Sequence, residues 1–203
     1  MPVFDTPYLV LLIVALLAYL LGSVPFGLVV ARIMGLPDPR TIGSKNIGAT
    51  NVLRTGSKPA ALATVLLDGA KGFVAVLLAR AIAGEDAAQI AALAAFIGHC
   101  LSLFLKFKGG KGVATFLGAL FGLAFILGVA ACLIWLLVCV VTRYSSLSAI
   151  VAAGGMPMVA VFMGFSDMFV IVAMMAAFLI WRHRENIGRL RAGTESKVGL
   201  SGT

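Results

Sequence analysis

The sequence predicts an all-α integral membrane protein with about seven transmembrane helices, and three observations predict it. The 203 residues are 61% hydrophobic and 12% charged, with a mean hydropathy of +1.08, a balance that suits a bilayer better than water. Six apolar stretches, at about 7–31, 59–81, 88–105, 112–141, 147–164 and 167–182, each approach the ~20 residues that a helix needs to cross a hydrocarbon core of ~30 Å. The positions of the basic residues then decide how those stretches are divided.

The first stretch follows Asp5 instead of a basic segment and precedes no small-residue cleavage site, so it reads as a retained helix and not a signal peptide. Within it, Gly22-Ser23-Val24-Pro25-Phe26-Gly27 predicts a kink or a close helix packing around Ser23. The second stretch carries Asp68-Gly69-Ala70-Lys71-Gly72, an acid and a base three apart on one helical face. Either charge alone costs ~2.5–3.5 kcal/mol at mid-bilayer, so Asp68 and Lys71 are expected to pair and turn inward, as a structural pair closing a polar cavity or in contact with substrate. Gly98-His99 places a further polar site in the third stretch. The fourth covers 30 residues, about 45 Å as one helix or about 21 Å for each of two.

Charge favours two. With the fourth stretch split, seven helices put the amino end outside, and the inner segments 32–58, 106–111, 142–146 and the tail from 182 collect fourteen of the sixteen Lys and Arg, all but Lys71 and Arg80. The outer turns hold Asp5, Glu85, Asp86 and Asp167, with Arg80 at a helix end. Six helices would place Arg143 and the basic tail opposite the first two basic loops, against the positive-inside rule. The chain thus reads as one polytopic domain, 1–203, with its carboxyl end in the cytoplasm. A formal charge of +8 in such a protein points to cytoplasmic loops and membrane lipids, and no basic run with interleaved aromatics points to nucleic acid. Cys100, Cys132 and Cys139 lack metal-ligand spacing and read as core residues. No carboxylate cluster suits a metal, and no cofactor is expected.

Three polar segments carry the chemistry. In 41–54, Gly43, Ser44, Asn46, Gly48, Thr50 and Asn51 interleave glycine with small donors and end at Arg54, as a phosphate site requires, although a turn-rich flexible loop has the same composition. In 106–115, Lys106, Lys108 and Lys111 alternate with Gly109, Gly110 and Gly112 directly before a helix, which makes an anion site. Gly112 stands where a Walker A loop needs Ser or Thr, so an ATPase is not indicated. An anchor of lysines on lipid phosphate would explain the lysines but not the glycines. In the third segment, Trp181 to Leu190, His183 and Asn186 share one helical face and Arg182, Glu185 and Arg189 another; the latter set also reads as a salt-bridged surface.

Taken in order, Gly22 to Gly27, Gly43 to Asn51, Asp68 to Gly72, Phe107 to Thr115 and Arg182 to Ile187 resemble the bacterial acyl-phosphate:glycerol-3-phosphate acyltransferase family, PlsY, over nearly the whole chain. The resemblance implies a small seven-helix enzyme of the bacterial inner membrane with its active site facing the cytoplasm. It would move a fatty acyl group from acyl phosphate to the 1-position of glycerol 3-phosphate, giving lysophosphatidic acid and phosphate, the first acylation of phospholipid synthesis. By that likeness Ser44, Arg54, Lys111, His183 and Asn186 are catalytic, and Gly43, Asn46, Gly48, Thr50, Asn51, Lys108, Gly109, Gly110 and Gly112 bind substrate. It also leaves room for a partner in the enzyme that makes acyl phosphate. Two departures stand out: Lys45 where the family commonly has Gly, and Ser102 where a Pro usually follows the Gly-His pair.

Physical argument agrees with that implication. An acyl phosphate has a good leaving group, so positioning and electrostatics supply most of the catalysis. The two glycine segments are expected to cradle phosphate, Arg54 and Lys111 to neutralise it, and His183 with Asn186 to orient glycerol 3-phosphate. His99 and His183 both lack an Asp five residues on, where Phe104 and Gly188 stand, so no His-Asp dyad is present. The hydroxyl proton then goes to His183 or to a substrate phosphate oxygen, and the resemblance favours the substrate. The acyl chain is expected among residues such as Phe116, Leu117, Phe121 and Leu133. A transporter of a phosphorylated anion is the rival reading, but it calls for midplane sites and an internal repeat.

Overall fold

The computed structural model describes residues 6–198; Asp5, expected in an outer turn, lies outside them. Every long regular element among these residues is a helix, and the chain forms two compact units, one ending at Leu123 and the other beginning at Ala124.

In the first unit, α1 (Tyr8–Ser23) stops at Val24-Pro25 and α2 (Phe26–Ile33) follows, because proline cannot continue the amide ladder. Most of α1 is exposed, including Tyr8, Leu9, Leu12, Leu16 and Leu17, while Leu11, Ala18 and Gly22 are buried. An apolar exposed face of that extent needs lipid as its solvent. After a loop containing the single turn α3 (Ala49–Val52), Ser57 caps α4 (Lys58–Cys100) by accepting the Ala60 amide at 3.2 Å.

The 43-residue run of α4 is two helices, since Ala83 and Gly84 leave helical geometry, Gly84 at φ +78°. Asp68 and His99 lie symmetrically about that break and meet at 3.5 Å, so the two arms are antiparallel and the run is a hairpin. This matches the separate stretches expected at 59–81 and 88–105. The helices approach through small residues, as membrane helices do. Ala18 of α1 clusters with Ala75, Ala79, Ala87, Ala91 and Ala95 of α4, and a Cβ on Gly22 would fall on the Ala95 backbone and one on Gly98 on the Tyr19 carbonyl.

A second break, at Ala124, divides the ambiguous fourth stretch, but not in half. α5 (Val113–Leu123) has 11 residues, about 16 Å, and α6 (Phe125–Thr142) has 18, about 27 Å. The cause is Arg80, whose guanidinium takes the carbonyls of Gly122 at 2.5 Å and Leu123 at 2.8 Å while pairing with Glu85. Those carbonyls are the orphan acceptors of a helix end, so Arg80 terminates α5. Alone, α5 is shorter than a bilayer core. It lies along the first arm of α4, with Gly118 packed on the Gly69 backbone and Gly122 beside Val76. Phe116, expected in the acyl slot, is instead core, edge-on to Phe96.

In the second unit, α6 ends at Arg143 (φ +63°) and α7 (Ser145–Phe162) packs on it, followed by α8 (Phe169–Arg182). α9 (Arg184–Arg191) leaves α8 at an angle of 57°. Cys100 is buried as expected, whereas Cys132 and Cys139 are only half-buried because α6 turns most of its surface outward. Among the described residues, four helical segments are long and apolar enough to cross a membrane, one of them the α4 hairpin, and α8 with α9 makes a fifth if taken as one bent span.

The glycine contacts separate two outcomes. Gly118→Ala, which drives a methyl group into the Gly69 backbone, should lower the thermal midpoint in detergent by the equivalent of about 1–3 kcal/mol. Gly155→Ala, with open space at its Cβ position, should leave the midpoint unchanged or raise it, since alanine favours helix by about 1 kcal/mol.

Candidate active site

The loop between α2 and α4 is built around Asn51, which is 2% exposed. Its Nδ2 donates to the carbonyls of Pro39 at 2.6 Å, Asn46 at 2.8 Å and Ile42 at 3.2 Å, and its Oδ1 accepts the Ser44 amide at 3.0 Å. Asn46 adds a local turn by accepting the Gly48 amide at 2.9 Å. Both ends of the Asn51 amide are therefore committed to the backbone, and what Asn51 contributes to the site is the shape of the loop. Val52 plugs that loop into a cluster with Val30 and Ala60, and Gly27 of α2 lets the Ile47 carbonyl come against the helix.

This scaffold gathers Gly43, Ser44 and Arg54. Gly43 has φ +48°, and a Cβ there would strike the Arg54 guanidinium and Asn51 Oδ1, so the Arg54 side chain lies across the bare glycine backbone. Ser44, Thr50 and Arg54 are all exposed. Lys45, standing where glycine is usual in the resembled family, has φ +56°, the left-handed region that costs a residue with a side chain about 1–2 kcal/mol. The loop keeps the glycine geometry without the glycine. Lys45→Gly should accordingly raise the thermal midpoint slightly, by less than about 1 kcal/mol once the entropy of glycine is deducted.

The glycine-rich segment behaves differently from the expectation. The amides of Gly109 and Gly110, expected to face an anion, are bonded to the carbonyls of Cys100 at 3.2 Å and His99 at 3.0 Å. A Cβ on Gly110 would meet the His99 ring, and one on Gly112 (φ +90°) the Phe96 ring and the Cys100 sulfur. The glycines thus bring the strand of chain onto the end of α4, with Lys111 half-buried between two of them and Lys108 exposed. Ser102, where proline is usual, has the proline-like φ of −60° and gives its hydroxyl to the Ser23 carbonyl at 2.6 Å. Beneath lies a buried charge cluster. Lys71 Nζ meets Asp68 at 2.8 Å and the Val24 carbonyl at 2.9 Å, as the expected inward pair, and His99 Nδ1 faces the same carboxylate oxygen at 3.5 Å.

In the second unit, His183 sits at the bend between α8 and α9. His183 and Asn186 are buried while Arg184 and Glu185 are exposed, as the shared face predicts. His183 Nδ1 lies 2.8 Å from the Leu179 carbonyl; a carbonyl only accepts, so Nδ1 carries the proton and Nε2 of the neutral ring is an acceptor. Arg189 pairs not with Glu185 but with Glu195 at 2.6 Å. Glu195 also accepts from Ser146 at 2.6 Å and Asn186 Nδ2 at 2.5 Å. Its side chain is 7% exposed. Sequence reasoning missed it, since a lone acid in a polar tail gives no periodic signal. Nearby, the Val198 amide bonds the Arg143 carbonyl at 2.8 Å and Lys197 lies over Tyr144, so the tail straps the start of α7 to α9.

Burial would raise the Glu195 pKa, but the hydrogen bonds from Ser146, Asn186 and Arg189 and the Arg189 charge outweigh it and hold the carboxyl below the ordinary glutamate range. A lowered folded-state pKa means stability that is complete above the unfolded value of about 4.3 and is lost as pH falls through the folded one. Glu195→Gln should therefore be less stable at pH 7 by about 1–3 kcal/mol. In thermal melts in detergent, the gap from the parent should close as the pH is lowered below about 4.

Comparison with known proteins identifies the family. A family model described as glycerol-3-phosphate acyltransferase matches residues 12–193. Among curated proteins, glycerol-3-phosphate acyltransferases of Jannaschia sp. (strain CCS1) and Ruegeria pomeroyi are 56% and 58% identical, each alignment covering 98% of both chains. The crystal structure of PlsY, an integral membrane glycerol 3-phosphate acyltransferase, superposes in its glycerol 3-phosphate form with a TM-score of 0.88 at 38% identity over 93% of this chain and 96% of that one. Its lysophosphatidic acid form gives 0.87. From its loops to its helix order, this chain belongs to the glycerol-3-phosphate acyltransferase family.

Proposed function

We propose that this chain acylates glycerol 3-phosphate at its 1-position with an acyl phosphate as donor, releasing lysophosphatidic acid and inorganic phosphate. The observation that carries the reading is Arg54 laid over Gly43 beside Ser44, on a loop held by the neutral amide of Asn51. A planar guanidinium on a bare backbone suits a phosphate, which it can grip with two parallel donors. Membership of a family whose solved relatives are described with glycerol 3-phosphate and lysophosphatidic acid supports the acceptor and product. The donor follows from the resemblance of the polar segments to an acyl-phosphate-dependent family, and it suits the chemistry, since a mixed anhydride brings its own good leaving group and asks mainly for positioning.

In this mechanism the glycerol hydroxyl oxygen attacks the acyl carbonyl, the bond from that carbonyl to the bridging phosphate oxygen breaks, and the leaving phosphate takes the hydroxyl proton. Lys111 and Arg54 offset the phosphate charges. His183 Nε2 and the Oδ1 of Asn186, whose Nδ2 is held by Glu195, are acceptors that orient glycerol 3-phosphate through its other hydroxyl, leaving the attacking O–H to the phosphate. We place seven crossings in a bacterial inner membrane, the amino end outside and the reacting groups at the cytoplasmic boundary, because that topology gathers the basic segments on one side. The enzyme that makes acyl phosphate is the natural neighbour, since this donor hydrolyses easily.

Purified protein given acyl phosphate and radiolabelled glycerol 3-phosphate should form labelled lysophosphatidic acid with one phosphate released per turnover; no product would remove the assignment. Arg54→Lys, which keeps the charge but not the fork, should lower kcat/KM by roughly 10- to 100-fold. His183→Ala should raise the KM for glycerol 3-phosphate while leaving turnover at saturation measurable, whereas abolished turnover would make the imidazole an obligatory base.

A further inference from the structure

Acyl transfer gives no work to the outward surface of the corner between α8 and α9. α8 ends in an aromatic pair, Phe178 and Trp181, whose ring centroids lie 5.1 Å apart, and Trp181 is half exposed. Tryptophan collects where hydrocarbon gives way to headgroups, because its ring is apolar and its N–H is polar. α9 has four charged side chains in eight residues, Arg184, Glu185, Arg189 and Arg191, so it cannot continue into hydrocarbon. The bend of 57° turns it aside, and a short charged helix at the mouth of a span belongs in the plane of the headgroups.

The two sides of α9 differ. Asn186 is buried and Ile187 and Leu190 are half-buried, whereas Arg184, Gly188 and Arg191, spaced by four and three residues on one face, are all exposed. The space at the Gly188 Cβ position is open, so the surface between the two arginines is bare backbone. Glu185 is exposed as well but lies about 100° round the helix from Arg184. The Arg184 guanidinium does not reach away from the membrane: its central carbon lies 4.8 Å from the centre of the Trp181 ring, and Arg182 approaches the same ring at 5.9 Å. Among the described residues no ion pair includes Arg184, and Glu195, the carboxylate of the tail, is taken by Arg189. A guanidinium stacked on an indole keeps the N–H donors of its edge for a phosphate.

We propose that Trp181, Arg184 and Arg191 form a site for the phosphate of an anionic phospholipid, whose acyl chains lie against Phe178 and Trp181 and whose occupancy holds α9 at its angle to α8. A lipid suits this place better than a soluble phosphate, because the cation rests on an aromatic ring whose other neighbours are apolar and a lipid answers both. His183 and Asn186 sit on the same bend, so two candidate site residues become answerable to the charge of the surrounding lipid.

The chain has two tryptophans, so Trp135→Phe leaves Trp181 as the single emitter. With the full chain in phosphatidylcholine nanodiscs, a small fraction of brominated phosphatidylglycerol should quench Trp181 at least about threefold more than the same fraction of brominated phosphatidylcholine. Adding Arg184→Gln should bring the two lipids level, and Arg184→Lys, which keeps the charge without the stacked fork, should lose most of the preference. Arg32→Gln, an equal loss of charge at an exposed position of α2, should leave the preference intact, as a general attraction of a basic protein for anionic lipid would not. Hydrogen exchange needs no change at Trp135: in the parent chain the amides of Arg184 to Arg191 should slow about three- to tenfold when phosphatidylglycerol is added, and those of Arg184→Gln should not. Equal quenching by both lipids, a preference that Arg184→Gln leaves intact, relief of quenching by millimolar inorganic phosphate, or exchange indifferent to lipid charge would each overturn the proposal.

Discussion

A carboxylate buried among alanines and glycines in a lipid-facing unit is costly unless every direction around it is answered, and Asp68 is answered by Lys71, by His99 and, through its backbone, by Thr115. Satisfying it requires α1's end, both arms of α4 and the start of α5 to meet at one level. Buried ionic contacts of this kind add little net stability but strongly disfavour alternatives in which one partner is left alone. In a bundle where lipid competes equally for every apolar surface, such a contact selects one register of the hairpin from many of similar packing energy.

Around that level the helices come together through residues with little or no side chain. Gly22 on Ala95, Gly98 on Tyr19, Gly118 on Gly69 and Gly72 on Thr115 are backbone approaches that no larger residue permits. They give dispersion and exclude lipid without relying on a hydrophobic effect that a bilayer does not supply. The loops then hang from a rigid frame. Asn51 folds one of them with neutral hydrogen bonds, and the end of α4 supports the other. The division is economical in charge: the interior is ion-paired, while Arg54 and Lys108 stand exposed where anions can reach them.

Much of this was legible beforehand because it is local. The apolar runs 59–81 and 88–105 read as two helices, Asp68 and Lys71 three apart read as an inward pair, and His183 with Asn186 read as one face. The unread parts depend on partners far away in sequence. The break at Ala124 could not be placed, since 112–141 is apolar throughout and the agent that ends α5 is Arg80, from another helix. His99 reads as an isolated polar residue until the hairpin folds it onto Asp68. A glycine that frees an amide for a ligand and one that admits a neighbouring backbone, as Gly109 and Gly110 do, look identical in a sequence. The loop-holding role of Asn51 is hidden for a similar reason, as an amide side chain suits a scaffold and a substrate equally. Lys45 shows the converse, a residue type that hides the backbone conformation it adopts.

The strap formed by Glu195, Lys197 and Val198 joins helices that share little else. One carboxylate takes hydrogen bonds from Ser146 of α7 and from Asn186 of α9, so a displacement of either helix is felt by the other through a single side chain, and the bend at His183 is held from the tail as well as from α8.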